Sequence, residues 1–185
     1  MLTSILKQIP NSITVLRILI VPFLWKFLWD REYEKVIIYG AIAGFSDIFD
    51  GAIARRLNAT SKFGAYMDPV ADKLMLSGSY LIFLWDRVIP EWLPKVVIGR
   101  DLLILAFTVY AYFFTSIREF PPSRWGKLST LMQLLTALVV LSNRSIVMDL
   151  ITYQLEHWMI LLCGAVTAVS GLHYAWLASQ ALRKR

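Results

Sequence analysis

The chain has 185 residues, 57% of them hydrophobic and 14% aromatic, with seven Trp and a mean hydropathy of +0.57. Soluble domains run at about 45–50% apolar, so this composition excludes an ordinary water-soluble globule and makes a bilayer the expected solvent. The formal charge of +6 is scattered between apolar runs, which argues against a nucleic-acid face and reads as membrane topology and attraction to anionic lipid.

Residues 1–10 come first. Leu2, Ile5, Leu6 and Ile9 recur at helical spacing up to Pro10, a piece too short to span, which predicts an amphipathic helix lying along the interface. Neither a basic start nor a small-residue cleavage site marks a cleavable signal. Six apolar segments follow, at roughly 12–29, 36–57, 63–85, 92–115, 124–142 and 157–181, each near the ~20 residues a helix needs to cross the hydrocarbon core. The connectors DREYE, RLNATSK, DRVIPE, REFPPSR and NRSIVMDL carry turn and charge signals, and no internal repeat or low-complexity segment is evident. The expected fold is an all-α integral membrane protein: one domain over 1–185, with six transmembrane helices within 12–181 and the interfacial helix before them.

Charge orients the bundle. The N-terminus, the 55–62 and 115–127 connectors and the C-terminus hold Lys7, Arg55, Arg56, Lys62, Arg118, Arg124, Lys127, Arg183, Lys184 and Arg185 against the lone acid Glu119. The opposite connectors hold only Arg31, Lys35, Arg87, Lys95 and Arg144, among seven acids. The positive-inside rule then places both termini in the cytoplasm, with the 47–72 segment a hairpin entering from that side.

Within the spans remain Arg17, Lys26, Lys73, Arg100, Asp47, Asp50, Asp68, Asp72 and Asp101. Ionisable residues at membrane depth are functional candidates by default, although Lys26 can snorkel and Asp101 beside Arg100 reads equally as a structural pair. Asp47 and Asp50 are three apart and Asp68 and Asp72 four apart, so each pair shares one helix face. A hairpin turns those faces toward each other, and four carboxylates converging in low dielectric repel. Two divalent cations would relieve that repulsion, and an all-oxygen set suits Mg²⁺, Mn²⁺ or Ca²⁺ rather than zinc. The bland alternative pairs these acids with Arg55, Lys73 and Arg17 as helix glue, which does not require two pairs at matched spacing. Gly51, Ala54 and Gly64 leave room for a phosphate or flat group near the backbone, and Arg55 is placed to hold a phosphate bidentately. Metals, arginine and small residues together suit a diphosphate.

The pattern Asp47-x₂-Asp50-Gly51-x₂-Ala54-Arg55-x₈-Gly64-x₃-Asp68-x₃-Asp72 resembles the signature of the CDP-alcohol phosphatidyltransferases, with every defining position present. The resemblance implies that Asp47, Asp50, Asp68 and Asp72 ligate two metal ions, Mg²⁺ or Mn²⁺. It implies that Asp47, Gly51, Ala54, Arg55 and Gly64 hold the CDP part of CDP-diacylglycerol. Asp72 would take the proton of an acceptor hydroxyl, CMP would leave, and the protein would be a homodimer of a bacterial inner membrane. PNSITVLRILIVP, MDPVADK and GKLST are similar to the branch holding phosphatidylglycerophosphate synthase and CMP-forming cardiolipin synthase. Arg100, Arg124 and Lys127 would then hold an anionic, glycerol-type acceptor. Glycerol 3-phosphate is favoured on prevalence. The fourth span, GRDLLILAFTVY, has Asp101 where the glycerol-phosphate enzymes show Glu and lacks their second arginine, which favours phosphatidylglycerol instead.

Two other classes use intramembrane acids. A membrane prenyltransferase is expected to carry more spans and well-separated clusters, and a cation-coupled transporter inverted repeats and broken helices. Of the remaining candidates, His157 reads as interfacial and His173 as a hydrogen-bonded packing residue. Cys163 is expected to pack, with no internal disulfide available to a lone cysteine. The seven Trp lie mostly near span ends, as an aromatic belt does.

Overall fold

The computed structural model describes residues 9–56, 62–114, 123–145 and 153–183, and side chains within 18–44, 72–110, 123–145 and 153–180 together with Phe113. These residues form six helices: α1 Ile9–Trp29, α2 Tyr33–Arg56, α3 Lys62–Trp85, α4 Trp92–Phe114, α5 Arg124–Arg144 and α6 Tyr153–Arg183. No strand occurs among the described residues. The six expected segments thus appear as six helices, with ends shifted by four residues or fewer. The expected interfacial helix falls mostly on residues 1–8, outside the described residues. Pro10, read from the sequence as a stop, lies instead in the first described turn of α1, where a proline's missing N–H has no intrahelical partner to lose.

Among the described residues two helices, α5 and α6 over Arg124–Arg144 and Tyr153–Gln180, are long and apolar enough to cross a membrane. The described part of α4 carries Lys95, Arg100 and Asp101 close together, and α2 and α3 carry the four aspartates.

The surface of these helices is inverted relative to a water-soluble protein. In α5 the buried positions are Gly126, Ser129, Gln133, Thr136, Ala137, Val140, Leu141 and Ser142, while Leu128, Leu131, Leu134, Leu135 and Leu138 are exposed. In α6, Thr167 and Ser170 are buried while Leu161, Leu162, Val169 and Leu172 face outward. Water would drive the leucines inward; lipid tails are as apolar as leucine and leave small and polar residues to make the helix contacts. Six of the seven Trp are exposed (Trp29, Trp85, Trp92, Trp125, Trp158 and Trp176), and Trp29, Trp85, Trp92 and Trp125 stand at helix ends. Trp25 is the exception: its ring lies where a side chain at position 78 would stand, so Gly78 cannot be enlarged without moving it.

Polar side chains join α5 to α6 along their length. Ser129 Oγ lies 3.1 Å from Thr167 Oγ1, and Gln133 Nε2 donates to Ser129 Oγ at 3.2 Å. Thr136 Oγ1 donates to the Met159 carbonyl at 3.3 Å, and Asn143 Nδ2 to Glu156 Oε2 at 2.7 Å. As the α5 number rises its α6 partner's falls, the register of an antiparallel pair. Inside a membrane protein such bonds contribute about 0.6 kcal/mol each, rarely more than ~1.7.

The helix ends hold a repeat that the sequence reading passed over. Phe-Leu-Trp-Asp-Arg occurs at 27–31 and again at 83–87, and each copy closes its helix with an arginine in the left-handed region, Arg31 at φ 59° and Arg87 at φ 53°. Glu32 N–H reaches back to the Phe27 carbonyl at 2.9 Å and Val88 N–H to the Phe83 carbonyl at 3.1 Å. That six-to-one bond is the Schellman closure, which glycine usually serves.

Beyond the α3 end, Glu91 binds Lys95 at 2.8 Å. The hydrogen bond from Lys95, then the charges of Lys95 and Arg87, hold its carboxyl below the ordinary value. The stabilisation is therefore present above the ordinary carboxylate range and is lost as pH falls through the depressed value. On this exposed pair it is small.

The chain forms two compact units, Met1–Ile82 with Arg144–Val147, and Phe83–Asn143 with Met148–Arg185. In the first, α1 packs on α2; in the second, α4 packs on α6.

Candidate functional site

The eight signature positions lie on two uninterrupted helices. α2 runs from Tyr33 to Arg56 and carries Asp47, Asp50, Gly51, Ala54 and Arg55. At 100° per residue these five fall within an arc of about 140°. α3 runs from Lys62 to Trp85 and carries Gly64, Asp68 and Asp72 within an arc of about 80°. Helical backbone at all eight positions is what face-sharing within each pair requires. The side chains of Asp47, Asp50, Ala54, Arg55 and Asp68, the surroundings of Gly51 and Gly64, and the connector 57–61 lie outside what the structure describes. Asp72 is described, and is exposed. The donor set on these helices is four carboxylates with no imidazole or thiolate, chemistry that fits hard divalent cations.

A second group of expected site residues comes together in the C-terminal unit. Arg124 and Lys127 are exposed in the first turn of α5. Ser123 caps that turn, its Oγ accepting the Gly126 N–H at 3.0 Å as N-cap serines do. Arg100 sits behind the turn, 7% exposed. Its Nη1 donates to Asp101 Oδ1 at 2.9 Å, and its Nε and Nη2 donate to Ser170 Oγ at 3.3 and 3.1 Å. Nη2 also points at the Gly126 carbonyl, at 3.5 Å. The guanidinium lies 5.5 Å from the centroid of the Tyr174 ring, and the Tyr174 hydroxyl accepts the Ser123 N–H at 3.1 Å. So Arg100 and the Arg124–Lys127 turn are neighbours, but the two kinds of cation differ: Arg100 is bound to protein and the other two face outward. The Arg100–Asp101 pair is the structural pair weighed in the sequence. Removing one partner from such a buried pair costs about 3–5 kcal/mol.

Ser170 and Tyr174 were missed by the sequence reading. Their four-residue spacing on α6 was a signal for one shared face, but nothing local tied that face to an arginine 70 residues away. His173 beside them packs its ring against Tyr174 and Trp176 at 6.2 and 6.0 Å between centroids. Its buried Nδ1 has no hydrogen-bond partner among the described residues; the ring contacts agree with the packing part of the role expected for it. His157 is exposed, as an interfacial residue would be.

The chain is similar to known proteins over nearly its whole length. It is 33% identical over 181 residues to the CDP-diacylglycerol–glycerol-3-phosphate 3-phosphatidyltransferase of Pseudomonas fluorescens, covering 91% of this chain and 90% of that protein. It is 26% identical over 182 residues to the protein of the same name from Bacillus subtilis (strain 168), covering 90% and 93%. A probable cardiolipin synthase (CMP-forming) of Drosophila melanogaster is 27% identical over 185 residues, covering 91% of this chain and 57% of the longer fly protein. The family model for CDP-alcohol phosphatidyltransferases matches residues 7–170, which take in all eight signature positions and both cationic groups. The chain belongs to the CDP-alcohol phosphatidyltransferase family.

Proposed function

We propose that the protein transfers a phosphatidyl group from CDP-diacylglycerol to the hydroxyl of a glycerol-type acceptor, releasing CMP, in phospholipid biosynthesis. The observation that carries this reading is the complete signature on two continuous helices in a chain of this family. Membership of the family leaves no role for the prenyltransferase or transporter readings.

Asp47, Asp50, Asp68 and Asp72 would hold two divalent cations, Mg²⁺ or Mn²⁺, which when bound neutralise the diphosphate and ease departure of CMP. The chain's own residues do the rest. Asp47 serves the nucleotide as well as the metal, and Gly51, Ala54 and Gly64 let the CDP part approach the helices. Arg55 binds a phosphate with its guanidinium fork. Asp72 takes the proton from the acceptor hydroxyl as that oxygen bonds to the lipid-side phosphorus and the bond to CMP breaks. Arg124 and Lys127, exposed on the first turn of α5, hold the acceptor's phosphate, with Arg100 behind them.

In this reading all six helices span the membrane, the termini and active site lie on the cytoplasmic side of a bacterial inner membrane, and the enzyme acts as a homodimer. The inverted surface of α5 and α6 supports the membrane part. The positive-inside asymmetry supports the orientation.

Glycerol 3-phosphate is the favoured acceptor, in line with the names of the two bacterial relatives. A second reading, phosphatidylglycerol as acceptor with cardiolipin as product, is favoured by one specific observation. The only arginine of α4 is Arg100, buried on protein partners, and its one lysine, Lys95, is paired with Glu91, so neither is given over to a free phosphate monoester.

The deciding experiment offers purified protein each acceptor with CDP-diacylglycerol and reads the lipid product by mass. Glycerol 3-phosphate should saturate the rate and give phosphatidylglycerophosphate. Cardiolipin formed only when phosphatidylglycerol is supplied would transfer the assignment to the second reading. Phosphatidylserine, phosphatidylinositol phosphate or phosphatidylcholine as main product would sink both. In either reading, Lys127→Ala should raise the acceptor KM about tenfold, the worth of one charge-assisted hydrogen bond. The CDP-diacylglycerol KM should move far less, because those phosphates lean on the metals and Arg55.

A further inference from the structure

Arg100 differs from the other two expected acceptor residues in what its donors do. A guanidinium has five N–H donors in a fixed fork. Here Nε and one Nη2 hydrogen go to Ser170, one Nη1 hydrogen goes to Asp101, and the remaining Nη2 hydrogen points at the Gly126 carbonyl. Four of five are directed at protein, and the guanidinium carbon lies 5.5 Å from the centroid of the Tyr174 ring. The partners come from three helices, and two of the contacts converge on one short stretch, Ser123–Gly126. Arg100 reaches the carbonyl of Gly126, and Tyr174, whose ring faces Arg100, holds the N–H of Ser123 at 3.1 Å. A Cβ at position 126 would stand 2.7 Å from the Tyr174 hydroxyl and 3.2 Å from Arg100 Nη2, distances at which something must move. Arg124 lies between the two clamped residues and Lys127 directly follows.

We infer that Arg100 is a positioning residue that, with Asp101, Ser170 and Tyr174, clamps the Ser123–Gly126 turn and thereby sets where Arg124 and Lys127 present their charges to the acceptor. The inference rests on the proposed role of Arg124 and Lys127, and it assigns acceptor selectivity partly to a buried cluster on α4 and α6 that no acceptor atom touches. It holds for either acceptor, since both present a phosphate anion.

The test measures kcat, both KM values and thermal stability for full-length Arg100→Lys, Gly126→Ala, Tyr174→Phe and the double variant Gly126→Ala/Tyr174→Phe, with Lys127→Ala as benchmark. Arg100→Lys keeps the charge but its single ammonium cannot serve Asp101, Ser170 and Gly126 together. The acceptor KM should rise about tenfold, and the CDP-diacylglycerol KM should stay within about twofold. Gly126→Ala should raise the acceptor KM similarly, and so should Tyr174→Phe, which removes the hydroxyl that holds the Ser123 N–H; the double variant should show no recovery. The Tyr174→Phe effect is the decisive sign, because a directly liganding Arg100 gives no reason for it. It also remains measurable if the Arg100 variant fails to fold. Should Lys127→Ala raise the acceptor KM while Gly126→Ala leaves it unchanged, or raises both KM values equally, the clamp is overturned and the acceptor site stands. A normal acceptor KM in Lys127→Ala overturns both.

Discussion

Asp72→Asn should lower turnover by about 10²–10⁴-fold, the range typical of a lost general base, while CDP-diacylglycerol still binds. The amide keeps the shape of the carboxylate and can still offer one oxygen to a cation, but it cannot accept the acceptor's proton. In the proposed reading Asp72 is suited to this double duty by its place at the end of the signature: it is the last aspartate on the α3 face that starts at Gly64, and it is exposed. The binding half of the measurement separates the roles. If Asp72 only held metal, the variant would lose donor affinity along with turnover, and added Mg²⁺ or Mn²⁺ would restore much of the rate. A base cannot be restored that way. Near-normal turnover would remove Asp72 from the chemistry.

Removal of divalent cations should abolish turnover altogether, and Mg²⁺ or Mn²⁺ should bring it back. In the proposed reading the four carboxylates of two successive helices converge and repel one another in low dielectric. Without cations they have no favourable way to be charged together, and the diphosphate of the donor would meet a negative surface. The effect should therefore exceed that of any single aspartate substitution. Chelator titration against rate measures it directly, and full activity at saturating EDTA would leave the carboxylates to the helix-glue role. Zinc should restore the rate poorly, since the donor set has no nitrogen or sulfur.

Much of this was legible before any coordinates. The six helices followed from runs of about 20 apolar residues bounded by charged and turn-forming connectors, a pattern the sequence alone displays. The signature was legible for a related reason: carboxylates at membrane depth are costly enough to stand out, and their spacings of three and four name a helix face. Tertiary partners were not legible. Glu156 is one of the seven acids counted on the less basic side, with no partner assigned from the sequence, yet it is 4% exposed and receives a hydrogen bond from Asn143, thirteen residues earlier. Ser129, Gln133 and Thr136 gave no signal inside an apolar run, although in lipid they are the residues that hold α5 to α6. Arg100 was read both as an acceptor ligand and as half of a structural pair with Asp101. Its partners, Gly126 and Ser170, lie 26 and 70 residues away, beyond any local pattern. The repeated Phe-Leu-Trp-Asp-Arg was visible as a string, but only the left-handed φ of Arg31 and Arg87 gives it structural meaning.

The most direct test of the central claim follows the cytidine label. Purified protein would be given CDP-diacylglycerol labelled in the cytidine, Mg²⁺ or Mn²⁺, and glycerol 3-phosphate and phosphatidylglycerol in separate reactions. The account predicts labelled CMP released one-for-one with a new phosphatidyl lipid in at least one of the two, and none once the metal is chelated. Absence of CMP release with both acceptors, or release without a matching lipid product, would contradict it.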